Sequence, residues 1–362
     1  MDLRLRGFLQ RRGASAEEIA RAEREHWLAL LTADRLLVPG RPRYDQAEVA
    51  AKTGVDRALA DRIWRALGFP DPPAGAAVFT DRDAEMLDTF LHTARMTIGD
   101  EADEFVEQAR AVASGLARLA EFFSDQIAGA IEAGWSSGVD DEALAVAVMD
   151  GTNWSTLARL LDYTLRLQTR AALWRKLANQ DVGDQSGWPL TIGFVDLVGY
   201  TALSQELEPD ELARLVARFE ALAYDAVAAR GGRVVKMIGD EVMFAADECE
   251  VGASIALALT GAVESDDVLP VARAGLAAGP VVAREGDYFG STVNLASRLV
   301  EIAKPGAVLV SADVYDALAG EDAFTWRRLR PRRVRGIGRV DVWVLRPSRE
   351  AVEAGRPRHG SG

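Results

Sequence analysis

Two carboxylates in the second half of the chain stand where chemistry can be done. Asp196 closes a short apolar run in FVDLVGY, and Asp240 follows a glycine in KMIGDEV. If their strands lie side by side, both carboxylates converge at one edge of a sheet. There they offer hard oxygen ligands suited to two divalent cations, Mg²⁺ or Mn²⁺, against a triphosphate. Aspartate is also a common turn and strand-end residue, so residue type alone leaves a plain structural role open for each. In STVNLASRLVEIA, Asn294 and Arg298 are four apart and share a helix face. That run follows Gly290, which leaves backbone N–H groups open to an anion. Arg298 carries a fixed fork of donors suited to a phosphoryl group that gains charge. Its plainer reading is a solvated or salt-bridged helix residue. Lys236 interrupts the apolar run VVKMIG, where a lysine either alternates out to solvent or meets a ligand.

The elements that must position these residues follow from periodicity. TIGFVDL reads as a strand, and PDELARLVARFEALAYDAVAARGG as a helix with Pro209 at its start and Gly231–Gly232 past its end. RVVKMIGDEVMFAA reads as two strands joined at Gly239–Asp240. A helix over EVGASIALALTGAVE and a strand and turn over 271–290 follow. Then come the helix from Ser291, the strand GAVLVS, the stretch SADVYDALAG and a final strand pair around 323–346. The opening order of strand, helix, strand, strand, helix, strand is the ferredoxin-like α+β plan, with helices on one face of the sheet. The other face is expected to be less covered and free to form a dimer.

Residues 1–180 read as an all-α domain. After Ser15, AEEIARAEREHWLALLTAD forms one helical pattern, with Ile19, Ala22, Trp27 and Leu31 near one face. Two short helices flank Gly54, PDPP at 70–73 stops them, and Thr80 with Asp83 is close to capping-box spacing. Longer helices are expected across 101–134, 141–147 and 152–178. The architecture is therefore multidomain: 1–180 helical, 181–190 a linker, 191–346 catalytic, and 347–362 a polar, disordered tail.

The 362 residues carry a net charge of −13, which argues against a chain built to wrap nucleic acid. One cysteine, Cys249, excludes an intrachain disulfide framework. Three scattered histidines exclude a histidine-rich metal site. With no signal-peptide core and no apolar run of spanning length, a cytoplasmic location is expected.

Over 190–346 the sequence resembles the class III adenylyl cyclase catalytic domain. Phe194, Asp196, Gly199, Tyr200 and Thr201 match its metal-binding pattern, and Asp240 in KMIGD its second carboxylate. Lys236 and Asp287, the latter in GDYFG, match the two positions that recognise adenine. Asn294 matches the ribose-orienting asparagine and Arg298 the transition-state arginine. In RRLRPRRVRGIG, Arg335 is the best match to the basic residue that contacts the terminal phosphates. The resemblance implies a homodimer with ATP at its interface, where it becomes cyclic AMP and pyrophosphate. One protomer would supply Asp196 and Asp240; the other would supply Lys236, Asp287, Asn294 and Arg298. IGDEV is also similar to the GGDEF signature of diguanylate cyclases. Ile238 in place of the first glycine, Val242 in place of the final phenylalanine, and the TVNLASR helix speak against that reading.

The whole architecture resembles an actinobacterial subgroup whose N-terminal helical domain inhibits catalysis at neutral pH and releases it in acid. His26 and His92 titrate in the right range and are candidate regulatory residues, with clustered carboxylates as the alternative. The long apolar faces over 101–178 would also permit a lipid or small-molecule ligand. The stretch from Tyr44 to Phe69 faintly resembles a MerR-type helix-turn-helix, with Arg57, Arg62 and Arg65 as its basic residues. The non-enzymatic alternative is a catalytically silent cyclase-like dimeric signalling module with that nucleic-acid-binding part.

Overall fold

A computed structural model describes residues 1–98, 101–151, 154–178, 188–284 and 286–350. Most of the expected linker and most of the expected tail lie outside these residues. The chain divides into two compact units, Met1–Asp181 and Val182–Gly362.

The first unit is helical: α1 (Leu3–Arg11), α2 (Ala16–Glu25), α3 (Leu28–Leu37), α4 (Gln46–Thr53), α5 (Arg57–Ala66), α6 (Asp81–Ile98), α7 (Ala102–Ser136), α8 (Asp141–Gly151) and α9 (Trp154–Ala178). The helical pattern expected after Ser15 is two helices. Ser15 and Glu18 form a capping box that starts α2, and His26 ends it in the left-handed region at φ 57°. What makes the restart at α3 stable lies far away in the chain. The Asp141 carboxylate, buried at the start of α8, accepts from Leu28 N at 2.6 Å, Ala29 N at 3.3 Å and Trp135 Nε1 at 3.2 Å. It fills the orphan donors of the α3 N-terminus, which local pattern could not reveal. At α6, Asp83 accepts from both the backbone N and the hydroxyl of Thr80, at 2.7 and 2.8 Å.

Besides a small cluster of Val49, Phe79 and Ala84, two larger apolar clusters hold this unit, one around Leu5, Leu9, Ile19 and Ile131, the other around Ile63, Leu91 and Phe105. Helix α7, about 50 Å long at the usual rise, joins them, with Phe105 near one end and Ile131 near the other. In contrast, among the described residues of α9 none is fully buried, and Leu160, Tyr163, Leu165, Leu173 and Trp174 are exposed along it.

The second unit runs β1 (Trp188–Leu197), α10 (Tyr200–Glu206), α11 (Pro209–Ala228), β2 (Arg233–Ile238), β3 (Glu241–Ala246), α12 (Cys249–Glu264), β4 (Ala272–Arg284), β5 (Asp287–Phe289), α13 (Ser291–Ile302), β6 (Val308–Ser311), α14 (Ala312–Leu318), β7 (Phe324–Arg328), β8 (Arg332–Val334), β9 (Gly338–Val340) and β10 (Val342–Pro347). The main sheet has the order β2-β3-β1-β4-β6-β10-β7, with β5 hydrogen-bonded to β4. Its first four strands are mutually antiparallel, which is the expected ferredoxin-like core, and β6 joins β4 in parallel. The final stretch holds two pairs rather than one. Strand β7 pairs with β10, and the β8–β9 ribbon is inserted between them.

Strand alternation sends Val195, Leu197 and Phe244 to one face, packed with Phe219 of α11 and Leu259 of α12. Ile192, Phe194 and Met243 point to the other, where they meet Ala296 and Val300 of α13. The second face is less covered, as expected, but not bare: α13 lies on it across β1, β4 and β6. Gly275 permits this contact. A Cβ there would stand 2.3 Å from Val300 N and 2.5 Å from Ala296 O, backbone atoms that cannot swing aside. Gly275→Ala is therefore expected to destabilise this unit by about 3 kcal/mol through overpacking, read as a lowered thermal midpoint.

Candidate active site

The face that α13 covers also carries the expected site residues at its ends. Asp196, last but one in β1, lies in register with Glu241 of β3 on one side and Arg273 of β4 on the other. Arg273 donates to Asp196 Oδ2 from Nε at 2.8 Å and from Nη2 at 2.6 Å, and to the Glu301 carbonyl at 3.0 Å. Asp240 occupies the turn between β2 and β3. Its carbonyl accepts from Leu197 N at 3.1 Å, which ties the turn to the end of β1. Asp240 lies close enough to Asp196 for the charge of one carboxyl to act on the other. Burial, and then the neighbouring Asp196 charge, hold the Asp240 carboxyl above its usual range. Burial also pushes Glu241 up to about 7, with Asp196, Asp240 and Glu301 adding to it.

Among the described residues, no group of three or more His, Cys, Asp or Glu side chains is arranged to hold a metal. What is present is a pair of carboxylates with surplus negative charge around it. That donor set fits Mg²⁺ or Mn²⁺, which take one or two protein carboxylates and complete their shell with water and phosphate oxygens. Asp196 and Asp240 would hold the cations, with Arg273 steadying Asp196.

Lys236 reaches this face through a β-bulge. Val234 packs into the α11–α12 side, and strict alternation would send Lys236 there as well. The register shifts between Val234 and Lys236, so that Val235 packs toward α13 and Lys236 stands opposite Met243, on the same side. The bulge re-aims a charged side chain that the apolar core could not accept. Lys236 Nζ then donates to Asp287 Oδ2 at 2.5 Å, while Tyr288 N donates to Asp287 Oδ1 at 2.8 Å. The two positions matched to adenine recognition are therefore in direct contact, though 51 residues apart in sequence.

On α13, Asn294 is exposed and Arg298 half-buried. Arg298 is ion-paired with Glu301, whose carbonyl accepts from Arg273, so the end of α13 is linked to the acidic corner. Arg335 stands apart. It sits exposed in the turn of the β8–β9 ribbon, beside Arg333 at an open cavity of about 680 Å³. Among the described contacts, none joins it to the other site residues. His26 and His92 are both exposed, with no side-chain hydrogen bond or ion pair among the described contacts.

Arg273 and Glu241 escaped the sequence reading. Arg273 stands between alanines in ARAGL and looks like an ordinary strand residue. Only the pairing of β4 with β1 makes it a neighbour of Asp196. The helix-turn-helix likeness weakens on inspection: Arg57 pairs with Asp61, Arg62 with Asp103 and Arg65 with Asp71, so its guanidinium groups are already engaged. Against α4 to α7 lies a cavity of about 470 Å³, lined almost wholly by apolar side chains such as Ile63, Trp64, Phe69, Phe79 and Phe90.

Residues 184–347 match the adenylate and guanylate cyclase catalytic domain, and residues 3–173 the adenylate cyclase regulatory domain. An adenylate cyclase of Streptomyces coelicolor is 35% identical over 87% of this chain and 89% of its own length. One of Glutamicibacter nicotianae is 31% identical over 86% and 81% respectively. A Mycobacterium tuberculosis protein named pH-sensitive adenylate cyclase is 34% identical over 92% and 84%. The chain belongs to this family of adenylate cyclases, in which a helical regulatory domain precedes a class III cyclase catalytic domain. It is an enzyme of that class.

Glu241 makes the acidic corner testable. Its carboxyl titrates near 7 when folded, against 4.5 for a free side chain. The folded chain therefore holds more protons across that window, and stability falls as pH rises through it. Glu241→Gln should raise the thermal midpoint over wild type at about pH 8 in chelator, with the difference vanishing near pH 4.5. Added Mn²⁺ should narrow the gap at the higher pH by neutralising the same charge.

Proposed function

We propose that the second unit converts ATP to 3′,5′-cyclic AMP and pyrophosphate at sites completed by two copies of the chain. The observation that carries this reading is that the sheet brings the end of β1, with Asp196, to the turn that holds Asp240, on a sheet that also holds the Lys236–Asp287 pair. Divalent cations bound by the two aspartates supply Lewis acidity toward the ribose 3′-hydroxyl and the departing pyrophosphate. The hydroxyl oxygen attacks the α-phosphorus, the bond to the β-phosphate breaks, and the hydroxyl proton leaves to solvent. Arg273 keeps Asp196 in place and adds positive charge where phosphate oxygens would lie. Arg298 offsets charge gained at the α-phosphorus, and Asn294 orients the ribose. Arg335 reaches the terminal phosphates. For the base, Asp287 accepts from the N6 amine and Lys236 donates to N1. Guanine presents O6 and N1–H instead and mismatches both contacts.

Two copies are invoked because the resemblance gives Asp196 and Asp240 to one protomer's share of a site and Lys236, Asp287, Asn294 and Arg298 to the other's. The exposed apolar residues along α9 are in keeping with a partner copy. The first unit acts as the regulatory domain, inhibiting at neutral pH and releasing in acid, since a site formed between protomers is switched by whatever separates or twists them. Its proton sensors are His26, His92 or carboxylates, and the apolar cavity beside Trp64 admits a lipid or small-molecule ligand. Among the described residues no helix is long and apolar enough to cross a membrane, and the enzyme is placed in the cytoplasm.

Product formation by the full chain and by residues 186–362 alone, offered ATP or GTP with Mn²⁺ from about pH 5.5 to 8, tests the reading. Cyclic AMP from both, with the full chain active mainly in acid, is expected. No product from either dimeric preparation would refute it. Asp240→Ala and Arg298→Ala should each be inactive alone. Mixed and allowed to exchange, they should regain up to about a quarter of the wild-type rate, because random pairing leaves one intact site in half the dimers.

A further inference from the structure

Strand β5 is three residues long, and its backbone pairs with β4 alone, through Val282–Phe289, Ala283–Tyr288 and Arg284–Asp287. Nevertheless its side chains reach β2, which lies three strands from β4 in the sheet. Two side-chain links span that distance. One is Lys236–Asp287. The other is Arg233, which donates to the Tyr288 hydroxyl from Nε at 3.1 Å and from Nη2 at 2.7 Å. Arg233 is itself held by Asp247 at 3.2 Å. The Tyr288 ring packs against the cluster of Ile192, Phe194 and Ala296 under α13.

The two links differ in what a nucleotide does to them. On the reading above, base recognition draws on the first: Lys236 and Asp287 each have to turn a donor or an acceptor to the purine edge, which loosens their contact. The second link then becomes the one that keeps β5 at a fixed distance from β2. We infer that Arg233 and the Tyr288 hydroxyl form a clamp that sets the spacing of the base-reading pair, and so the preference for adenine over guanine. They are positioning residues and touch no reacting atom. A two-donor, charge-assisted contact anchored by a second carboxylate is suited to this, because it holds direction as well as distance. Without it the strand can drift, and a hydrogen-bond mismatch with guanine relaxes at little cost. This inference rests on the assignment of Lys236 and Asp287 to the base.

The test compares Tyr288→Phe, Arg233→Gln, Arg233→Lys and Asp287→Ala with the wild-type full chain. Tyr288→Phe keeps the ring and its packing, so folding is preserved and checked by the thermal midpoint. Rates with ATP and GTP are measured at the pH of highest wild-type activity. Calorimetric binding of 3′-deoxy-ATP and 3′-deoxy-GTP, which cannot cyclise, reads the same selectivity without turnover. Tyr288→Phe and Arg233→Gln are expected to lower the ATP-to-GTP ratio of kcat/KM about tenfold, chiefly by raising KM for ATP, and to lower the binding ratio alike. Arg233→Lys should recover part of it. In an Asp287→Ala background, Tyr288→Phe should add little, since both act on one contact. An unchanged ratio in Tyr288→Phe, while Asp287→Ala collapses it, would overturn the clamp. Equal loss of rate with both nucleotides would reduce it to structural support and overturn it as well. If Asp287→Ala itself leaves the ratio untouched, the base assignment falls and takes the clamp with it.

Discussion

Negative charge gathered at the end of β1 and β3 is the constraint on which the second unit depends. Asp196, Asp240 and Glu241 crowd one corner, and Arg273 is the cation that reaches Asp196 there. Burial and like charge both disfavour this arrangement in the free chain, and a folded protein does not keep such a corner for its own stability. It persists because the surroundings over-determine it. The Leu197 N–H bond to the Asp240 carbonyl fixes the turn, and the sheet register fixes Asp196 between Glu241 and Arg273. On the proposed reading, cations carrying a triphosphate would complement what the fold leaves unbalanced.

The second face of the sheet turns that corner into a site. An uncovered face would have left Asp196 on a flat surface. Instead α13 lies across β1, β4 and β6, so close that Gly275 has no room for a side chain. The same packing brings Asn294 and Arg298 to the sheet and links α13 to Arg273 through Glu301. On the far side, a one-residue bulge in β2 turns Lys236 out of the α11–α12 core and toward Asp287. Packing and recognition are served by one set of distortions, which is why a small backbone change there would reach the chemistry.

The first unit is held differently. Its clusters around Leu9 and Phe105 are joined by a single long helix, and a buried carboxylate from α8 caps α3. Much apolar surface along α9 stays exposed in the single chain. Exposed leucines and tryptophan at that density call for a covering surface, which the proposed second copy would provide.

Much of this was written locally. The strand–helix alternation of 191–346 gave the ferredoxin-like core, since period-two and period-3.6 patterns follow from single-element geometry. Asp196 beside one turn and Asp240 in another, with Asn294 and Arg298 a helical turn apart, were legible by type and spacing. Arg273 was not, because nothing in ARAGL marks an arginine as the partner of a carboxylate 77 residues away. The break at His26 was hidden for the same reason, its compensating cap being Asp141. Nor could alternation foresee the bulge that turns Lys236 or the helix that covers the second face. By itself the sequence determined most of the elements and which side chains are candidates for the chemistry, because those depend on neighbours along the chain. Only the tertiary structure decided which charges meet and which face they share, because register, bulge and close packing are set by residues distant in sequence.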